Sequence, residues 1–111
     1  MAYQDITGIQ IAQAEVTTGY TTIYTVAASQ RLYIKCVDVC NTSGAATTFT
    51  MHLVANGSSA LVANALFYGS SIAANDNLQW TGTQLIDVGA TIQVKASAAN
   101  LTVTISGGIA V

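Results

Sequence analysis

Ionised side chains are scarce in this chain of 111 residues: Lys and Arg number 3, Asp and Glu 5, and together they make up 7% of the sequence, against about 25% in an ordinary soluble domain. With only Arg31, Lys35 and Lys95 as fixed cations, a phosphate backbone could not be neutralised at several places at once, which argues against nucleic acid as a partner. No uninterrupted apolar run approaches the ~20 residues of a membrane span, so no membrane partner is expected. Proline is absent, and no linker, low-complexity tract or internal repeat divides the chain, which predicts one domain over residues 1–111. His52 is the only histidine and Cys36 and Cys40 are the only cysteines, too few to complete a metal site. The start Met1-Ala2-Tyr3-Gln4-Asp5 has neither the basic region nor the apolar stretch of a signal peptide, which predicts a protein made and used without secretion.

What remains is 51% apolar residues interleaved with Thr, Ser, Asn and Gln in short alternating runs. Phe49, Met51 and Leu53 oppose Thr48, Thr50 and His52. Ile92, Val94 and Ala96 oppose Gln93, Lys95 and Ser97, and Leu101, Val103 and Ile105 oppose Thr102, Thr104 and Ser106. A period of two marks half-buried strands, with the apolar members facing the core. Turn signals such as Thr18-Gly19, Asn41-Thr42-Ser43-Gly44, Asn56-Gly57, Asn75-Asp76-Asn77 and Val88-Gly89 punctuate the chain. Strands are expected near 7–16, 20–27, 31–40, 46–54, 70–73, 77–81, 84–87, 91–97 and 101–106, with a C-terminal extension at 107–111 that ends in an extended piece at 109–111. Residues 1–16 read as an N-terminal arm or the first strand. The run 59–68 fits one or two helical turns as well as a long crossover. Short strands at this spacing predict an all-β fold, a single antiparallel β-sandwich of jelly-roll type.

The strand 31–40 reads differently from the rest. Strict alternation puts Leu32, Ile34, Cys36 and Cys40 on one side and Tyr33, Val37 and Val39 on the other, so both faces are apolar. Only one can point into its own core, which predicts self-association as a homodimer, or a trimer. Cys36 and Cys40 share a face but stand roughly 13 Å apart in an extended strand, too far for a disulfide, and read as small buried hydrophobes. Asp38 interrupts the apolar run and needs a partner, with Arg31 or Lys95 as candidates. Asp76 and Asp87 adjoin turn residues and are expected to bond their own backbone. Gly107-Gly108 opens no helix and reads as a joint or bulge, not a phosphate loop.

No catalytic constellation stands out, since His52 lies on the polar side of its strand and the five carboxylates are scattered; no enzyme activity and no cofactor are expected. A surface without charge keeps monomers apart poorly, which points to a chain that works packed against something. The expected interface residues are Tyr3 and Ile6 in the leader, the tyrosines Tyr20, Tyr24 and Tyr33, the second face of the strand 31–40 with Val37 and Val39, and Trp80, whose amphipathic rings suit contact surfaces.

Three stretches carry a family resemblance: Ile23-Tyr24-Thr25-Val26-Ala27-Ala28; Val37-Asp38-Val39-Cys40-Asn41-Thr42-Ser43-Gly44 leading into Thr47-Thr48-Phe49-Thr50-Met51-His52-Leu53-Val54; and Ser71-Ile72-Ala73-Ala74-Asn75-Asp76 followed by Val88-Gly89-Ala90-Thr91-Ile92-Gln93-Val94. Together they resemble small β-sandwich virion proteins of tailed bacteriophages, most of all the capsid cement or staple proteins of epsilon15-like short-tailed phages. The resemblance spans roughly residues 20–106. It implies a decoration protein on the outer capsid surface, made in the host cytoplasm, with the major capsid protein as partner. A tail or fibre subunit, or a carbohydrate- or receptor-binding module using Trp80 and surface tyrosines, are the alternative readings.

Overall fold

The computed structural model describes residues 6–111. Eight strands carry nearly all of the regular structure: β1 Ile6–Val16, β2 Thr21–Thr25, β3 Arg31–Asn41, β4 Thr47–Val54, β5 Ala65–Ile72, β6 Asn77–Ile86, β7 Thr91–Ala96 and β8 Leu101–Ala110. They form two four-stranded sheets, β1-β8-β3-β6 and β2-β7-β4-β5, with every pairing antiparallel. First strand pairs with last, second with seventh, third with sixth and fourth with fifth. This is the jelly-roll order, so the expected fold class holds.

The three trusted alternations place the core between the sheets. Phe49, Met51, Ile92, Val94, Leu101, Val103 and Ile105 are all fully buried, and Ala96 nearly so, while Leu53 is half-buried against them. Where the strand boundaries differ from expectation, an irregularity explains the difference. The break foreseen between 81 and 84 is a bulge inside a continuous β6, because register jumps from Gln84 to Thr81 while β3 advances from Ile34 to Cys36. Gly107-Gly108 is no joint: β8 runs straight through both residues, paired on each side. β5 begins at Ala65, so the helical option for 59–68 shrinks to a single 3-10 turn at Val62–Asn64.

The largest correction concerns β3. Opposite β8, Ile34 pairs with Gly107 and Cys36 with Ser106, leaving Lys35 as an extra residue. A bulge of this kind inverts the alternation beyond it. Leu32, Ile34, Val37, Val39 and Asn41 are therefore all buried on the inner face, while Lys35 and Cys40 are exposed and Tyr33, Cys36 and Asp38 half-exposed. β3 has one apolar face, not two, and the ground on which a dimer was expected disappears. β1 carries a matching bulge, with Ile11 extra between the pairs Gln10–Ser106 and Ala12–Ile105.

The ends of the sandwich are tied by polar turns. Asn41, 1% exposed, donates through Nδ2 to the carbonyls of Ala45, Ile72 and Ala73 and accepts through Oδ1 from Ser43 N and Oγ. One satisfied amide thus joins the β3–β4 turn to the end of β5. Asn75 takes the left-handed conformation (φ 55) in the β5–β6 turn, as Asn tolerates at little cost.

Candidate interaction surface

Among the described residues, no loop or helix covers the outer face of the β1-β8-β3-β6 sheet, though Ala110 at one end of it is fully buried. Its rows can be read from the register. Gln10, Ser106, Cys36 and Thr81 lie side by side, followed by Gln13, Thr104, Asp38 and Gln79, then Glu15, Thr102, Cys40 and Asn77. In the other direction come Gly8, Gly108, Tyr33 and Leu85, then Ile6, Ala110 and Arg31. The face is a lawn of hydroxyl, thiol and amide groups. Where Gly8 and Gly108 lie abreast, the missing side chains leave a groove of about 300 Å³ walled by Ile6, Tyr33, Lys35 and Thr83.

The two sheets meet along one flank and part along the other. β1 packs beside β2 and β7, whereas β5 and β6, the opposite edges, touch little if at all. A cleft of about 470 Å³ opens at that side, lined by Leu53, Ala63, Leu66, Ile86 and Ala90, with the amides of Asn56 and Gln84 and the carboxylate of Asp87 among them. Leu85 and Val88 from its lining are 46% and 39% exposed. Leu61 and Val62, also exposed, immediately precede the lining residues Ala63 to Leu66.

The outer face of the second sheet is covered. His52 points outward, as its alternation requires, yet is 1% exposed because loop 55–64 and two tyrosines lie over it. Asn64 Oδ1 accepts from Leu61 N (3.0 Å) and Nδ2 donates to Ser59 O (2.9 Å), which fixes the amide orientation. His52 Nδ1, 2.7 Å from that same Oδ1, must then carry a proton and donate. In the neutral ring Nε2 is left to accept from the Tyr20 hydroxyl at 3.2 Å. Tyr20 and Tyr68 stand edge-on to the imidazole, and Lys95 Nζ lies 4.7 Å from the centroid of the Tyr20 ring. The histidine read as a surface residue is a buried post that pins loop 55–64 and the start of β2 to the sheet. Nothing in its alternation signals this, because a period of two tells which way a side chain points and not that the loop following β4 folds back over it.

The expected interface residues scatter. Tyr3 lies outside the described residues. Ile6 (62% exposed) and Tyr33 belong to the open outer face, and Tyr20 (46% exposed) stands over the other sheet. Tyr24 and Trp80 turn inward and pack, partly buried, against the core, Trp80 in register with Val37. Val37 and Val39 are fully buried in the core and offer no interface. Sequence reasoning missed Lys35, Thr83, Gly8 and Gly108, whose grouping depends on the bulge.

The charge assignments also change. Asp38 faces outward and accepts from Asn77 Nδ2 at 3.3 Å, so neither Arg31 nor Lys95 is its partner. Arg31 instead donates to Asp87 at 2.8 Å, and Asp87 is therefore not a simple turn residue; Asp76 does accept from the adjacent Asn77 N at 2.8 Å. Cys36 and Cys40 are free and outward-facing, not buried hydrophobes. Among the described residues no three His, Cys, Asp or Glu side chains gather as a metal site. Alkylation of the denatured chain without reductant is expected to modify both thiols, as read by intact mass; a peptide linking Cys36 to Cys40 would contradict the extended geometry of β3.

No protein-family model matches this chain, and no curated protein resembles it at a significant level. Among solved structures, a chain of infectious bursal disease virus, Gt strain, superposes with a TM-score of 0.47 at 10% identity. A chain of the Gx strain does so at 0.41 and 12%. Each covers 95% of this chain, which in turn spans 30% of the viral chain. The likeness is one of strand arrangement.

Proposed function

We propose that this chain is a structural virion protein that decorates the outer capsid surface and staples neighbouring major capsid subunits. The observation that carries this reading is the presence of two separate unpartnered surfaces on one small domain: the open, mostly polar face of the first sheet, free for a capsid subunit or a second copy of the chain, and the β5–β6 flank with its cleft of mixed polarity. A staple must hold two neighbours at once. Its grip would come from area and repetition, since many copies each making weak contacts add up to firm attachment, and a contact with few charges depends little on salt. In this reading the protein acts by contact and not by chemistry.

The experiment is to add the purified chain to capsids that lack it. Binding should persist from low salt to roughly 1 M, raise the temperature at which shells release their DNA, and appear in a reconstruction as density over subunit seams. Deleting residues 1–6 should leave the fold intact and weaken attachment. Density on the tail would favour the tail or fibre reading, and absence from particles would overturn the proposal. The carbohydrate-binding reading loses its main stacking platform, because Trp80 faces the core.

A further inference from the structure

We infer that the outer face of the β1-β8-β3-β6 sheet joins two copies of this chain face to face, about a two-fold axis that crosses β3 near Cys36 at right angles to the strands. Any dimer expected from an apolar second face of β3 has lost its ground. The arrangement of charge on the true outer face supplies another.

Lys35 and Asp38 lie three residues apart on β3, both on the open side, and neither has an ion pair among the described residues. Lys35 Nζ donates to Thr83 Oγ1 at 2.7 Å, and Asp38 Oδ1 accepts from Asn77 Nδ2 at 3.3 Å. Thr83 and Asn77 both belong to β6, so cation and carboxylate lean the same way and differ only in position along the strand. A two-fold axis perpendicular to the strands lays each strand over its own copy in reverse. Lys35 of one chain then comes over the partner's Asp38, and the pair recurs by symmetry. An axis along the strands would lay the cationic end of one face over the cationic end of the other, which the charges oppose. A foreign partner would need to reproduce this spacing by coincidence; a second copy has it by construction.

The size of the face is adequate. Four strands about 4.8 Å apart and roughly ten residues long present about 600 Å² per copy, or ~1,200 Å² in total, above the ~1,000 Å² expected of a specific interface. This pairing stands whether or not the chain binds a capsid. If it does, the dimer presents two outward β5–β6 flanks, one for each capsid neighbour.

Sedimentation of the intact chain tests the inference. The wild-type protein should be a dimer at micromolar concentration. Lys35→Asp and Asp38→Lys should each raise its dissociation constant at least about tenfold by placing like charges together, and the combined exchange should restore it. A short bis-maleimide should link Cys36 to the partner's Cys36 in preference to Cys40, a reading that needs no variant to fold. A monomeric wild type, single variants that dimerise undiminished, or a double variant that fails to recover while retaining the wild-type melting temperature would each overturn it, as would crosslinks confined to Cys40. Attachment to capsids is scored separately, so failure of one proposal leaves the other standing.

Discussion

Replacing Gly107 by alanine is expected to abolish cooperative folding. A Cβ at this position would fall inside the van der Waals envelope of the Tyr33 carbonyl oxygen, 2.9 Å from its carbon and 3.2 Å from Ile11 Cδ1. The first two obstacles are backbone atoms of the neighbouring strand, which cannot rotate aside as a side chain could. Relief requires prising β3 from β8 in the middle of the first sheet, where both are paired on each side. A cost of about 4 kcal/mol or more would consume most of the stability of a small domain near the lower end of the usual range of about 5–15 kcal/mol. Gly19→Ala is the control, since a Cβ there meets nothing within 4 Å, and it should move the melting temperature little. A Gly107→Ala protein that melts like the wild type would mean that the two strands are farther apart than described.

Phe49→Ala is the second large effect expected, about 3–5 kcal/mol by urea denaturation. Phe49 is fully buried at the centre of β4, and its ring meets that of Phe67 with centroids 5.7 Å apart. Truncation removes the largest side chain of the core and leaves a void that rigid strands on both sides cannot close. Val103→Ala, equally buried but losing fewer atoms, should cost less. Equal costs at the two positions would show that the core relaxes around the larger void.

The sandwich was legible because β4, β7 and the first part of β8 keep an unbroken period of two, and in such strands apolar side chains fall inward without further information. β3 defeated the same reasoning through one residue. Counting past Lys35 as though it held a place in the ladder sends Val37 and Val39 outward; setting it aside puts Leu32, Ile34, Val37 and Val39 together, as the structure has them. Lys35 gives no local sign that it is the extra residue, because the bulge is set by where Gly107 lets β8 approach. Errors about the surface followed from this one. Val37 and Val39 became interface residues, Cys36 and Cys40 became core, and Asp38 acquired a buried partner it does not need. His52 failed for a different reason: a strand pattern tells which side a residue faces, not what another part of the chain lays over it.

The strand order also governs when the fold can form during synthesis. Of the eight strands β1 is made first, yet its only pairing partner is β8, the last of the eight. β3 likewise waits for β8 on one side and β6 on the other. Until residues 101–110 have left the ribosome, the first sheet lacks one of its two central strands and β1 has no strand to pair with, only its packing beside β2 and β7. Such remote pairing requires closure of nearly the longest loop the chain allows before any contact rewards it, which places folding in the slow range of about milliseconds to seconds. Since no proline is present, no isomerisation step adds to that delay, and a nascent chain interrupted before residue 101 would leave β1 without a pairing partner and β3 paired on one side only.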